Sequence, residues 1–177
     1  TKTATINAGN GSNTVSAATA TFGVSITTGT GNDTITSGTG NDTITAGAGN
    51  DTITATTGAG NHVILGGEGD DSINVSVGTG NIFVNAGSDN DLVNVGANLT
   101  LNDTIVGGDG TDTMYFWGGG GINTDVTDAE FAKVLGMENL ILSHNHMASS
   151  VTLAANANTA FASGITITKN LGTTLRV

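Results

Sequence analysis

The fold class this sequence predicts is all-β: a parallel solenoid of very short strands. Three observations predict it. A nine-residue unit repeats without interruption as TGTGNDTIT (28–36), SGTGNDTIT (37–45) and AGAGNDTIT (46–54). The eighth position of the unit is apolar wherever the unit recurs, and the turn positions are dominated by Gly, Asn, Asp and Thr. Nine residues match neither a heptad nor a helix pair, but they fit six residues of glycine turn followed by a three-residue strand.

The strand comes first. Its middle residue points inward because side chains alternate at period two. The series Val15, Ile35, Ile44, Ile53, Ile64, Ile73, Val84, Val93, Ile105 and Met114 supplies a mostly β-branched inner ladder. Burying each is worth about 1.5–3 kcal/mol, against about 1–2 kcal/mol for ordering every residue of the unit. The apolar ladder alone does not offset that cost, so the turns must contribute.

In the turns, glycine at positions two and four permits positive φ and leaves carbonyl oxygens uncrowded. These positions hold Gly29, Gly31, Gly47, Gly49, Gly67, Gly69, Gly87, Gly108 and Gly110, and the sixth position carries an acid in most units. Carbonyls and carboxylates converging on one point are hard oxygen ligands of the kind Ca2+ takes six to eight at a time. Ligands from neighbouring turns must combine to reach that number.

Composition narrows the classes further. Of 177 residues 28 are Gly and none is Pro or Cys, which excludes collagen and a disulfide scaffold. Four Lys and Arg stand against 15 Asp and Glu, for a net charge of −11. That balance excludes an electrostatic footprint for nucleic acid and points to cations as partners. No apolar run approaches bilayer length and no signal peptide is visible, so membrane insertion is not expected. The chain opens at Thr1 without Met and stops within the strand-like Thr174–Val177, so it is expected to be a piece of something longer.

GGEGDDSIN (66–74) and GGDGTDTMY (107–115) match the pattern GGxGxDxUx, and here the chain resembles the RTX nonapeptide family. The resemblance implies a right-handed parallel β-roll in which every second turn stacks on one edge. It further implies calcium held between stacked turns by the Asp and backbone carbonyls. The repeats run to residue 115, giving an RTX-like roll over 1–115 and a capping or continuing β-solenoid segment over 116–177.

If alternate turns stack, the sixth positions separate into two columns. One edge reads Asn13, Asp33, Asp51, Asp71, Asp91, Asp112, and the other Asp42, His62, Ile82, Asp103. The first is the expected calcium edge, with gaps Asp33/Asp51, Asp51/Asp71, Asp71/Asp91 and Asp91/Asp112. Four divalent ions there would offset eight of the eleven net negative charges. Asp42 and Asp103 are weaker candidates, and the second edge is expected to hold few ions or none, with His62 a solvated turn residue. Spacings of 20, 18, 20, 20 and 21 along the first edge imply coils that carry an extra pair of residues. The alternation Ile73-Asn74-Val75-Ser76-Val77 assigns that pair to a longer strand and a roll that widens after residue 54. Glu68, Asp70, Asp89 and Asp109 are expected at the surface, and Asp89 stands where its turn calls for glycine.

Beyond Met114, Tyr115-Phe116-Trp117 is expected to cap the roll. Thr127-Asp128-Ala129-Glu130 resembles a capping box, predicting a short helix near 128–135 that stops at Gly136. Strands are expected at 137–142, 151–153 and 164–168. His144 and His146 form an HxH without an evident third ligand, and Asp125 with Asp128 could be a carboxylate pair, although the helix start explains Asp128 better. Neither HExxH nor GxSxG occurs, so no enzyme activity is expected.

Three functions fit. The first is an extracellular, calcium-dependent structural protein of surface-layer or scaffold type, self-associating into a sheet or filament and in contact with cell-surface polysaccharide. The second is an adhesin or ice-binding module, suggested by outward rows such as Thr34/Thr36 and Thr52/Thr54. The third is a folding and secretion module of a larger secreted enzyme. All three place the chain outside the cell, where weak calcium sites fill.

Overall fold

Each nine-residue unit folds as half a coil, as the ladder of inner residues requires. The computed structural model describes residues 2–55, 58–75, 80–96, 99–117, 127–143, 150–161, 166–169 and 174–176. Strands alternate between two parallel sheets. One holds β1 (Thr3–Gly9), β3 (Gly23–Thr28), β5 (Asp42–Ala48), β7 (His62–Glu68), β9 (Ile82–Ser88), β11 (Thr104–Asp109) and β13 (Val134–Leu135). The other runs from β2 (Thr14–Ser16) through β4 (Thr34–Thr36), β6 (Thr52–Thr54), β8 (Ser72–Asn74), β10 (Leu92–Asn94), β12 (Thr113–Trp117) and β14 (Asn139–Ser143) to β16 (Thr166–Lys169). Apart from both, β15 (Ser150–Thr152) pairs with β17 (Thr174–Arg176). The chain is a parallel β-solenoid.

Pairing register divides the inner ladder into two facing columns. Ile26, Ile44, Ile64, Val84, Ile105 and Val134 stack in the first sheet. Val15, Ile35, Ile53, Ile73, Val93, Met114 and Leu140 stack in the second. All ten ladder residues named from the sequence are buried. Two flanking columns of smaller residues add to them. Thr28, Ala46 and Ala86 line the first sheet near one edge, and Ala17, Ala55, Val75 and Val95 lie beside the other.

The extra pair of residues falls elsewhere than the sequence predicted. β4, β6, β8 and β10 are all three residues long, so no strand is extended. The intervals from the end of one second-sheet strand to the start of the next first-sheet strand grow from five residues, 37–41, to seven, 55–61 and 75–81, and of these 56–57 and 76–79 lie outside the described residues. Of the alternation read as a longer strand, Ile73 and Val75 are buried, and Ser76 and Val77 lie outside the described residues. A loop accepts two residues at less cost than a strand whose ladder bonds are already made.

The C-terminal part departs further from expectation. Tyr115, Phe116 and Trp117 do not cap the roll: they end β12, and β14 stacks directly on it, Thr113 opposite Asn139 through Trp117 opposite Ser143. The helix is 3-10 and covers Asp128–Lys133, after which Val134–Leu135 already pairs with β11. The capping box is present, with Thr127 N–H donating to Glu130 Oε2 at 2.9 Å. A helix absent from the sequence reading, α1 (Ala155–Ala160), packs on it through Phe131 and Phe161, whose ring centroids lie 5.9 Å apart, edge to face. Among the described residues no helix is long and apolar enough to cross a membrane.

Candidate metal centre

The first-edge turns place their acids in one buried column. Asp33, Asp51, Asp71, Asp91 and Asp112 are each 2% exposed or less. Their carboxylates all do the same thing. Oδ1 accepts the backbone N–H of the residue one coil behind: Asp33 from Asn13 at 2.7 Å, Asp51 from Asp33 at 2.7 Å, Asp71 from Asp51 at 2.8 Å, Asp91 from Asp71 at 2.8 Å and Asp112 from Asp91 at 2.9 Å. Oδ2 of all five is buried and has no hydrogen-bond partner. Five orphaned carboxylate oxygens in a file are costly unless something positive meets them.

Asn13 shows where that positive group belongs. It occupies the sixth position of the first coil, with an amide where the later coils have a carboxylate. Its Nδ2 donates to the carbonyl of Gly9 at 2.9 Å and to that of Gly11 at 2.6 Å, the glycines of its own turn. In the following coils the equivalent atom is an oxygen, unable to donate to those carbonyls. Oxygen facing oxygen needs a cation between.

The glycines make the approach possible. Eight of the nine named from the sequence have positive φ, from 109° at Gly69 to 139° at Gly110; Gly29 does not, contrary to expectation. Gly67 illustrates the constraint, since a Cβ there would fall 1.8 Å from the carbonyl oxygen of Gly47 one coil back. Asp89 takes the glycine position of its turn with φ 80°, a left-handed conformation that Asp tolerates better than most residues.

Electrostatics agree with this geometry. Burial pushes the carboxyls of Asp71 and Asp91 up to about 7; the N–H of the preceding Asp pulls the other way, and neighbouring carboxylates push up again. Asp51 and Asp112 are raised for the same leading reason. At about 4.8 Å between coils and an effective dielectric near 20, two full negative charges repel by roughly 3.5 kcal/mol. A divalent ion turns that repulsion into attraction. The donor set is all oxygen, carboxylate and carbonyl, which suits Ca2+ and not the softer transition metals. The residues therefore fit calcium.

The second edge differs although its motif is the same. Gly38, Gly40, Gly58, Gly60 and Gly80 stand at matching positions, yet none has a φ in the left-handed region. Asp42 is buried, and its Oδ1 accepts the N–H of Val24 at 2.9 Å. Its Oδ2 faces Nδ1 of His62 at 3.4 Å. His62 is 6% exposed, so the expectation of a solvated turn residue is corrected: the imidazole sits inside the edge against Asp42. Burial lowers its pKa, and the Asp42 charge partly restores it. Asp103 is also buried, but both its oxygens already have donors, Oδ1 from Ile82 N–H at 2.8 Å and Oδ2 from Thr100 N–H at 2.7 Å. Asp103 ties down its own loop.

Two features escaped the sequence reading. Glu138 lies at the register position after Asp112, and its Oε2 accepts the Asp112 N–H at 2.8 Å. Outside the acidic column, exposed Asn32, Asn50, Asp70 and Asn90 form a second ladder running the opposite way, each Oδ1 taking a backbone N–H of the coil ahead. The recurrence of Asn before Asp in the repeat was the available signal. Glu68, Asp89 and Asp109 are exposed, as expected. Asp128 accepts three N–H groups, from Ala154, Asn156 and Ala157, and so caps α1. Asp125, His144 and His146 lie outside the described residues.

Fold and site together define a β-solenoid whose turns carry calcium-binding repeats. The family model described as RTX calcium-binding nonapeptide repeat (4 copies) matches residues 27–61, 54–82 and 102–124, so the turns in these segments are RTX-type repeats. No curated protein and no solved structure matches the chain.

Proposed function

We propose that the chain is a calcium-triggered structural module of an extracellular protein, of surface-layer or scaffold type. Asp33, Asp51, Asp71, Asp91 and Asp112 are its metal ligands, together with carbonyls of the glycine turns. The observation that carries this reading is the file of five buried Oδ2 atoms without donors, facing turns in which Asn13 makes the same contacts through an N–H. Folding and ion binding are then one event, because the column repels itself when empty. Sites of this kind fill at extracellular calcium and stay empty in the cytosol, which supports a working location outside the cell.

The outward face of the second sheet favours a scaffold over ice recognition. Its first outward row runs Thr14, Thr34, Thr52, Ser72, Leu92, Thr113, Asn139, and Leu92 is 40% exposed in the middle of it. Ice binding needs the same small polar residue in every coil.

The test is a calcium titration of the full chain followed by circular dichroism and electron microscopy. Chelated protein is expected to be largely disordered, and calcium to produce a β-rich spectrum and then sheets or filaments. A β-rich spectrum that excess chelator leaves unchanged would sink the reading; folding without assembly would sink its scaffold part alone.

A further inference from the structure

The acidic column does not end with the last nonapeptide. Thr113 pairs with Asn139, which puts Glu138 in register with Asp112 at the head of the next coil. This coil is irregular: six residues, 107–112, lie between Val106 and Thr113, whereas three, 136–138, lie between their partners Leu135 and Asn139. The contracted turn has a single positive-φ glycine, Gly136 at 61°, and no room for the GxGxD arrangement. Glu138 nevertheless performs the task of the missing Asp. Its extra methylene spans the shortened turn, Oε2 accepts the Asp112 N–H at 2.8 Å, and the Asp112 carbonyl accepts the N–H groups of Glu138 at 3.0 Å and Asn139 at 2.9 Å.

A second, independent observation points to a ligand here. Asp112 is fully buried, and its Oδ2 has no donor. That oxygen is turned into its own loop, so that a Cβ on Gly107 would come within 2.5 Å of it. On the far side of the same loop Glu138 is half-buried, and among the described residues its Oε1 receives no hydrogen bond. The loop 107–112 thus has a carboxylate oxygen inside it and another carboxylate on its next coil, the pairing found at each gap of the column behind it.

We propose that Glu138 is a calcium ligand at a gap formed with Asp112 and the 107–112 loop, outside the nonapeptide repeats, and that this ion fastens the C-terminal segment to the roll. The proposal rests on calcium binding along the Asp33–Asp112 column. Its consequence is that calcium orders Glu138 and the strand after it together with the roll. The 3-10 helix and α1 follow, since Met137 N–H donates to the carbonyl of Ala160 at 3.2 Å.

The test compares the full chain with Glu138→Gln, which keeps an acceptor for the Asp112 N–H and removes the charge. Calcium itself is the probe. Titration calorimetry should give one ion fewer in the variant, with the remaining ions bound as before. Hydrogen exchange on the wild type, which needs no variant to fold, should show the amides of Asp112, Glu138 and Asn139 slowing on addition of calcium, and Glu138→Gln should lose that slowing. Equal stoichiometry in the two proteins, or amides at 138–139 indifferent to calcium while those of Asp51 and Asp71 respond, would overturn the role of Glu138 and leave the column intact. A wild type that takes up no calcium would overturn both.

Discussion

Oδ1 of Asp91 accepts the backbone N–H of Asp71 at 2.8 Å, one coil behind its own. Along the whole column the acceptor belongs to the later coil, so each carboxylate has one oxygen engaged in the stacking of turns and one left for a cation. The same side chain stacks the turns and, in the function proposed above, holds the ion.

Substitution at Asp71 separates the two roles. Asp71→Ala removes the acceptor of the buried Asp51 N–H, costing about 1–3 kcal/mol in addition to the weakened ion binding. Asp71→Asn should weaken calcium binding at the two gaps it shares, Asp51/Asp71 and Asp71/Asp91, yet behave like Asn13, its amide donating to carbonyls of its own turn. The chelated Asn variant is therefore expected to hold more β-structure than chelated wild type, measured by circular dichroism in excess chelator.

The response to pH follows from the raised carboxyls. Asp71 and Asp91 titrate near 7 in the metal-free fold against about 3.8 as the ordinary value, and Asp51 and Asp112 are shifted the same way. A raised folded pKa stabilises fully below the unfolded value, and that contribution is lost as pH rises through the folded one. Chelated protein should therefore gain β-structure on acidification from pH 8 to pH 4, and calcium affinity should climb with pH until about 7. A chelated chain equally unfolded across that range would contradict the assignment.

Backbone conformation gives a third test. Gly67→Ala puts a Cβ 1.8 Å from the Gly47 carbonyl oxygen at φ 131°, so strain of about 1–3 kcal/mol is the least expected cost. Gly9→Ala, at φ 75° with nothing within 4 Å, bears only the left-handed penalty of about 1–2 kcal/mol. Thermal melts in saturating calcium should rank Gly67→Ala well below Gly9→Ala.

The C-terminal helices rest on aromatic packing. Phe131 is 1% exposed and meets Phe161 edge to face. Phe131→Ala is expected to cost about 3–5 kcal/mol, read as lost exchange protection over 155–161. Calcium stoichiometry along Asp33–Asp91 should not change.

How much of this could be read from the sequence depended on how local the cause was. The period and the inner ladder were legible because Ile35, Ile44 and Ile53 point inward in consequence of strand alternation alone. The two columns were legible from the difference between Asp71 and its second-edge counterpart His62. What separates the edges physically was not, because GTGND occurs on both, and only the stacked backbone makes Gly47 left-handed while Gly38 is not. Glu138 was hidden by a contracted turn that breaks the spacing, and the burial of His62 by its being set against a charge from another coil. The extra residues were misplaced because alternation in 73–77 suits a strand or a loop equally well.

The backward reach of these side chains makes the solenoid directional. Coils removed from its N-terminal end take away donors and leave carboxylate oxygens that water can satisfy. Coils removed from its C-terminal end take away the carboxylate that accepts the last turn's N–H, together with the negative charge it adds to the gap beside that turn. The two ends are therefore unequal as places to lengthen, cut or fuse the chain: the Thr3 end can be shortened turn by turn, whereas a cut between Asp112 and Glu138 leaves the last coil without its lock.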